Sequence, residues 1–162
     1  MTEKQPAPPT LSDIEREIVA SFNALNTVDD KYALLFQLGA SLPPMDPSLK
    51  TDANLVKGCQ SSLWFHFEQK DRCFHLEADS DSLVIKGIAA MMVNLIEGRT
   101  AEEILSISMD FIDQIKIWKL PSERHNGLMA MLNHVHAQAR LAQADEPAGL
   151  PNRENEDTVR PV

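Results

Sequence analysis

Cys59 is the residue best placed for covalent chemistry. It lies in Val56-Lys57-Gly58-Cys59-Gln60-Ser61-Ser62-Leu63-Trp64, beside a glycine and just before a strand-like run. The reactive form of cysteine is the thiolate, favoured by nearby positive charge or main-chain N–H donors and disfavoured by apolar burial. Lys57 is the one charge close by in sequence, two residues before Cys59. Gly58 matters more, because a residue without Cβ lets the chain turn sharply or lets another molecule approach the thiol. A plain tight turn needs the same glycine. Local sequence therefore leaves two readings of Cys59 open, a reactive thiol and a small buried hydrophobe.

Other ligand-type residues are weaker candidates. With a hairpin tip at Gln69-Lys70-Asp71-Arg72, His66 faces His75 and Glu68 faces Cys73 on one side of a two-stranded sheet. Those four could hold a metal, but the spacing matches no zinc motif, and alternating polar residues are what a solvent-facing sheet shows. No metal site is expected. His134 and His136 lie two apart on a helix, on different faces, and read as solvated. Met91, Met92, Met129 and Met131 read as core and near-core packing. There is no glycine-rich phosphate loop, no Gly-x-Ser-x-Gly elbow and no pair of Cys-x-x-Cys motifs. A Cys-His-Asp hydrolase has no local signature.

The elements that must position Cys59 follow from periodicity. Leu11, Ile14, Ile18, Phe22 and Leu25 recur at helical spacing, with Ser12 and Glu15 as a capping box. A second helix covers about Asp29 to Gly39, with Tyr32, Leu35 and Phe36 on one face and Pro43-Pro44 beyond it. The following loop is long enough to be functional or to hide a short helix. Ser62 to Glu68 and Cys73 to Ala78 alternate and form the hairpin. Ser80-Asp81-Ser82 caps a helix that is apolar almost all round from Leu83 to Ile96, the buried central element. Gly98 closes it, Thr100 with Glu103 opens a short successor, and Pro121-Ser122 starts a long helix carrying Leu128, Leu132, Val135 and Ala139. The predicted class is α+β, a small antiparallel sheet covered by helices.

Composition narrows the function. The 162 residues suit one domain, with a core over 11–142 and tails at 1–10 and 143–162. The 24 acidic against 15 basic residues give a net charge of −9, which opposes nucleic-acid binding and suits a cationic or mixed-charge protein partner. No segment is apolar enough to span a membrane and the start has no secretory pattern, so a cytoplasmic protein with free thiols is expected.

The cysteine motif with its following Trp64 resembles the SufE/CsdE family of cysteine desulfurase partner proteins. Lys31-Tyr32 through Leu38-Gly39, Asp79-Ser80-Asp81-Ser82 leading to Lys86-Gly87, and Ser122-Glu123-Arg124-His125-Asn126-Gly127-Leu128 agree in the same order. The resemblance covers about residues 28 to 140 and implies a fold like that of the IscU scaffold. It implies that Cys59 accepts sulfane sulfur from a SufS- or CsdA-like desulfurase, becomes a persulfide, and passes the sulfur to a SufBCD-like iron–sulfur scaffold complex. It assigns Arg124 to orienting the cysteine loop or favouring the thiolate, with an ion pair to Asp79 or Asp81 as the plainer role. On this reading the chain is a carrier with no turnover alone, and it needs no cofactor, because the pyridoxal phosphate belongs to the desulfurase. Self-association into a homodimer fits a docking surface that is apolar. Cys73 matches no family position and is expected to be dispensable; Leu63 stands where valine is usual. Two alternatives stand beside this reading: a metal or iron–sulfur cluster scaffold, and a pure conformational activator of the desulfurase.

Overall fold

A computed structural model describes residues 9–117 and 121–145, except for the side chains of 121–126 and 145. Most of both expected tails, residues 1–8 and 146–162, thus lies outside the described residues.

Helix α1 (Leu11–Asn23) buries Ile14, Ile18 and Phe22 on one stripe. Its capping box is Thr10 with Asp13, not Ser12 with Glu15: the Thr10 hydroxyl accepts from Asp13 N–H at 3.1 Å and the Asp13 carboxylate accepts from Thr10 N–H at 3.1 Å. Both tetrapeptides fit the capping template. The earlier start brings Leu11 into the helix, where it packs against the core. Helix α2 (Val28–Ala40) is capped by Thr27 and buries Leu35 and Gly39, whereas Phe36 stays exposed beside Tyr32.

Strands β1 (Leu63–Lys70) and β2 (Cys73–Ser80) form the hairpin. Its turn is shorter than expected, because Asp71 and Arg72 both take positive φ, +53° and +70°. Two successive positive φ values define the primed hairpin turn, which lets the strands pair up to Lys70 and Cys73. The register therefore changes: His66 faces Glu77, and Glu68 faces His75. A short third strand, β3 (Arg99–Thr100), which the sequence did not reveal, pairs antiparallel with Cys73 and Phe74.

Helix α3 (Leu83–Ile96) is the expected central helix, with Ser82 as its cap and Ile88, Ala89, Met92, Leu95 and Ile96 fully enclosed. It crosses α2 closely. A Cβ on Gly87 would lie 2.4 Å from the Leu35 carbonyl oxygen, and one on Gly39 would lie 3.0 Å from Gly87 N. Helix α4 (Ala101–Leu105) opens with the expected Thr100–Glu103 box. A 3-10 segment over Asp110–Ile115 then packs Phe111, Ile112 and Ile115 into the core. Helix α5 (Pro121–Asp145) closes the fold, burying Leu128, Met131, Leu132, Val135 and Ala139.

Candidate functional site

The loop carrying Cys59 is short, tight and pinned at its base. The preceding segment is no idle connection: Pro47–Leu49 forms a 3-10 turn, and Leu55 then bridges to Trp64 along the free side of β1. Val56 N–H donates to Leu63 C=O at 2.8 Å, and Phe65 N–H donates to Asn54 C=O at 2.8 Å. Gly58 turns the chain with φ +91°, a conformation that side chains resist. At the far end, Ser62 N–H donates to the Asp81 carboxylate at 3.1 Å, and Ser62 C=O accepts from Asp81 N–H and the Ser80 hydroxyl. Residues 57–62 thus hang from the hairpin on one side and the α3 cap on the other.

Asp79 stiffens that base. Its carboxylate meets Lys50 at 2.9 Å and Lys86 at 3.3 Å, and Lys50 also lies over the Trp64 ring. Burial pushes the Asp79 carboxyl upward, but hydrogen bonds from Lys50 and Ser80 N–H, together with the Lys86 charge, hold it below its ordinary value. The Asp79-to-Gly87 stretch so acquires a structural meaning. Asp79 joins three segments, Ser80 and Asp81 hold the loop, Ser82 caps α3, and Gly87 lets α2 in.

Cys59 is half-buried and packs against the core. Its thiol borders a pocket of about 180 Å³ lined by Gln60, Ser61, Ser82, Val84, Ile85 and Gly127. Gly127 is the residue whose role sequence reasoning missed. A Cβ there would lie 3.9 Å from Cys59 Sγ and 3.3 Å from Ile85 Cδ1, so Gly127 places the α5 wall of the pocket close to the thiol. A glycine inside an otherwise periodic helix was the available signal. Leu83, beside the pocket wall, is 64% exposed, and Met129 in α5 is 41% exposed. Met129 is therefore not core, because the buried stripe of α5 runs through Leu128, Met131 and Leu132.

Arg124 lies three residues before Gly127 in α5; its side chain is outside the described residues. The carboxylates suggested as its partners have others among the described residues, Lys50 and Lys86 on Asp79 and Ser62 N–H on Asp81.

The four donors expected to share one sheet face do not assemble. His75 pairs with Glu97 at 2.7 Å, and Cys73 sits opposite Lys70 at the turn. Ligand atoms of His66, Glu68 and Glu77 lie within 4.8 Å of one another on the outer face, away from Cys59. Cys59 and Cys73 are at opposite ends of a hairpin of 8-residue strands, about 26 Å long at roughly 3.3 Å per residue, too far apart to share an ion. Nor is His134 solvated. It stacks on Phe67 at 25° and 6.1 Å, and burial lowers its pKa. His136 is hydrogen-bonded to Ile107 C=O at 3.0 Å.

The fold, a small antiparallel sheet covered by helices, is shared with a solved structure, a hypothetical protein of Thermus thermophilus. That likeness has a TM-score of 0.63 at 21% identity, covering 82% of this chain and 97% of the other. Residues 16–139 match the model of the SufE family, the Fe-S metabolism associated domain, and the chain belongs to that family. It is 38% identical over 126 residues to SufE-like protein 1, chloroplastic/mitochondrial, of Arabidopsis thaliana, covering 76% of this chain but 34% of that protein. It is 30% identical over 129 residues to an uncharacterized SufE-like protein of Rhizobium meliloti, covering 76% and 92%. A chloroplastic quinolinate synthase of Nicotiana tabacum is 30% identical over 145 residues, covering 83% of this chain and 20% of the synthase. The chain thus spans about a third of the plant SufE-like protein and a fifth of the synthase.

Proposed function

We propose that this protein is a sulfur acceptor and activator of a pyridoxal-phosphate-dependent cysteine desulfurase, carrying sulfane sulfur on Cys59 toward iron–sulfur cluster assembly in the cytoplasm. The observation that carries the reading is the Cys59 thiol, on a tight loop beside a pocket walled in part by Gly127, in a chain of an Fe-S metabolism family.

The transfer is an exchange at sulfur. Cys59 thiolate attacks the outer sulfur of the desulfurase persulfide; the new S–S bond forms at Cys59 while the donor cysteine leaves as thiolate. No net oxidation occurs and no further reagent is consumed. The proton of the Cys59 thiol leaves before attack, and the departing thiolate can take one up. The pocket is large enough to receive the outer sulfur. Its wall at Ser82 and Val84 is the first turn of α3, whose partial positive charge favours anionic sulfur. Val84 and Ile85 are the apolar part of a lining that Gln60, Ser61 and Ser82 make largely polar. Arg124 is assigned to orienting the loop or favouring the thiolate. Exposed Leu83 and Met129 supply apolar contact for the docked desulfurase.

The chain has no turnover of its own on this reading, and the pyridoxal phosphate remains with the partner. A cluster scaffold within one chain is disfavoured by the separation of Cys59 from Cys73. The reading is tested by alanine production from cysteine with a purified desulfurase of the SufS or CsdA type. Added wild-type protein raises the rate, and Cys59→Ala does not. Undiminished stimulation by Cys59→Ala would instead make the chain a conformational activator.

A further inference from the structure

The tight turn at Asp71 and Arg72 decides which side chains meet on the outer face of the hairpin. It places Glu77 opposite His66, and Glu68 lies two residues further along β1, on the same face of the sheet. A four-residue turn would pair His66 with His75 and carry Glu77 to the level of Trp64. The observed register brings three ligand-type groups together instead. His66 Nε2 lies 3.4 Å from Glu68 Oε1, and the ligand atoms of His66, Glu68 and Glu77 all lie within 4.8 Å of one another.

This cluster is short of positive charge. Among the described residues, neither Glu68 nor Glu77 forms an ion pair with a lysine or arginine. Lys50 and Lys86 are both engaged by Asp79, two residues beyond Glu77, and His75 is held by Glu97 at 2.7 Å. A protonated His66 balances one carboxylate, not two. Like charges this close disfavour one another's ionised form unless a cation sits between them. The His66 side chain is 24% exposed and that of Glu68 64%, so one donor is held by its surroundings and another is free to adjust.

We propose that His66, Glu68 and Glu77 form a binding site for a divalent transition-metal ion, with zinc fitting best. Zinc bonds of about 2.0–2.1 Å at tetrahedral angles set ligand atoms about 3.3 Å apart, which is close to the His66–Glu68 spacing of 3.4 Å. Side-chain rotation closes the remaining gap to Glu77, and water takes the fourth position on the open face. The imidazole decides the class of ion. Magnesium and calcium take oxygen ligands, whereas one nitrogen with two carboxylates suits zinc. Bound there, the ion ties β1 to β2 across the middle of the hairpin. None of its three ligands lines the Cys59 pocket, so the site is separate from the sulfur chemistry.

The test titrates zinc chloride by calorimetry into the full chain carrying Cys59→Ser and Cys73→Ser, which removes both thiols as competing ligands. Expected is one saturable site per chain that excess magnesium does not displace. Adding Glu77→Gln or His66→Gln weakens binding about tenfold or more, since even a group that only supports a metal ligand is worth that factor. Glu77→Gln keeps the size of the side chain, so its effect reads the ligand and not the fold. Because an ion that binds only the folded chain stabilises it, saturating zinc also raises the urea midpoint, and it does so far less in Glu77→Gln. Three results overturn the proposal: no saturable zinc binding once the thiols are removed, displacement of zinc by magnesium, or an affinity unchanged by either Glu77→Gln or His66→Gln.

Discussion

At the scale of single residues, the chemistry depends on how much room the Cys59 thiol has. Gly127 bounds that room, since a Cβ at that position would stand 3.9 Å from Sγ and 3.3 Å from Ile85 Cδ1. Gly127→Ala introduces an ordinary contact with sulfur and a slight one with Ile85, while the helix gains up to about 1 kcal/mol in propensity. Gly127→Val adds methyl groups that must enter the pocket. Sulfur loading of Cys59 by a desulfurase is therefore expected to be nearly unchanged in Gly127→Ala and about tenfold slower in Gly127→Val, the rate equivalent of about 1.4 kcal/mol of strain. Rapid-quench mass measurement of the loaded chain reads both, and equal loading by the valine variant would remove the pocket from the mechanism. Cys59 and its glycine turn were legible in the sequence because both residue types are diagnostic. The pocket wall was not, because Ser82, Val84, Ile85 and Gly127 meet Cys59 only through the tertiary fold.

Secondary-structure elements fix the loop by close approach and by part-buried polar contacts. Gly87→Ala is expected to destabilise the fold by about 2–3 kcal/mol in urea titration, because its Cβ would fall 2.4 Å from the Leu35 carbonyl oxygen and force α2 and α3 apart. Unchanged stability would mean that the helices separate freely. His134 gives a pH dependence. Stacked on Phe67 and partly buried, it keeps its pKa below the ordinary 6.5 in the folded chain, whereas the unfolded chain takes up the proton near 6.5. Between those two values the unfolded state binds more protons, so this group's contribution to stability falls as pH drops below about 6.5. His134→Phe should remove that component of the pH–stability curve, and a curve of unaltered slope would contradict it. Asp79, held below its ordinary 3.8, adds stability that is present above that pH and lost as pH falls through its folded value. Helical periodicity and caps made α2, α3, α4 and α5 legible within a few residues. The hairpin register was misread because the two positive φ values at Asp71 and Arg72 have no glycine or asparagine to announce them. Strand β3 was hidden because its two residues depend on β2 for their assignment.

On the scale of the whole molecule, α3 links two separate surfaces. Its N-terminal turn borders the Cys59 pocket, and its C-terminal half lines a cavity of about 450 Å³ beside the end of α2. Neither surface was visible as such in the sequence, because each joins segments that are distant along the chain: 59–61 with 127, and 38–43 with 75–78 and 90–97. The central claim concerns one sulfur atom on one residue. Its most direct measurement is the intact mass of the chain, under non-reducing conditions, after incubation with a cysteine desulfurase and free cysteine. The expected result is a gain of one sulfur atom in wild type and in Cys73→Ser, lost on reduction and absent in Cys59→Ser; a wild-type chain without the gain, or a Cys59→Ser chain that retains it, would contradict the assignment.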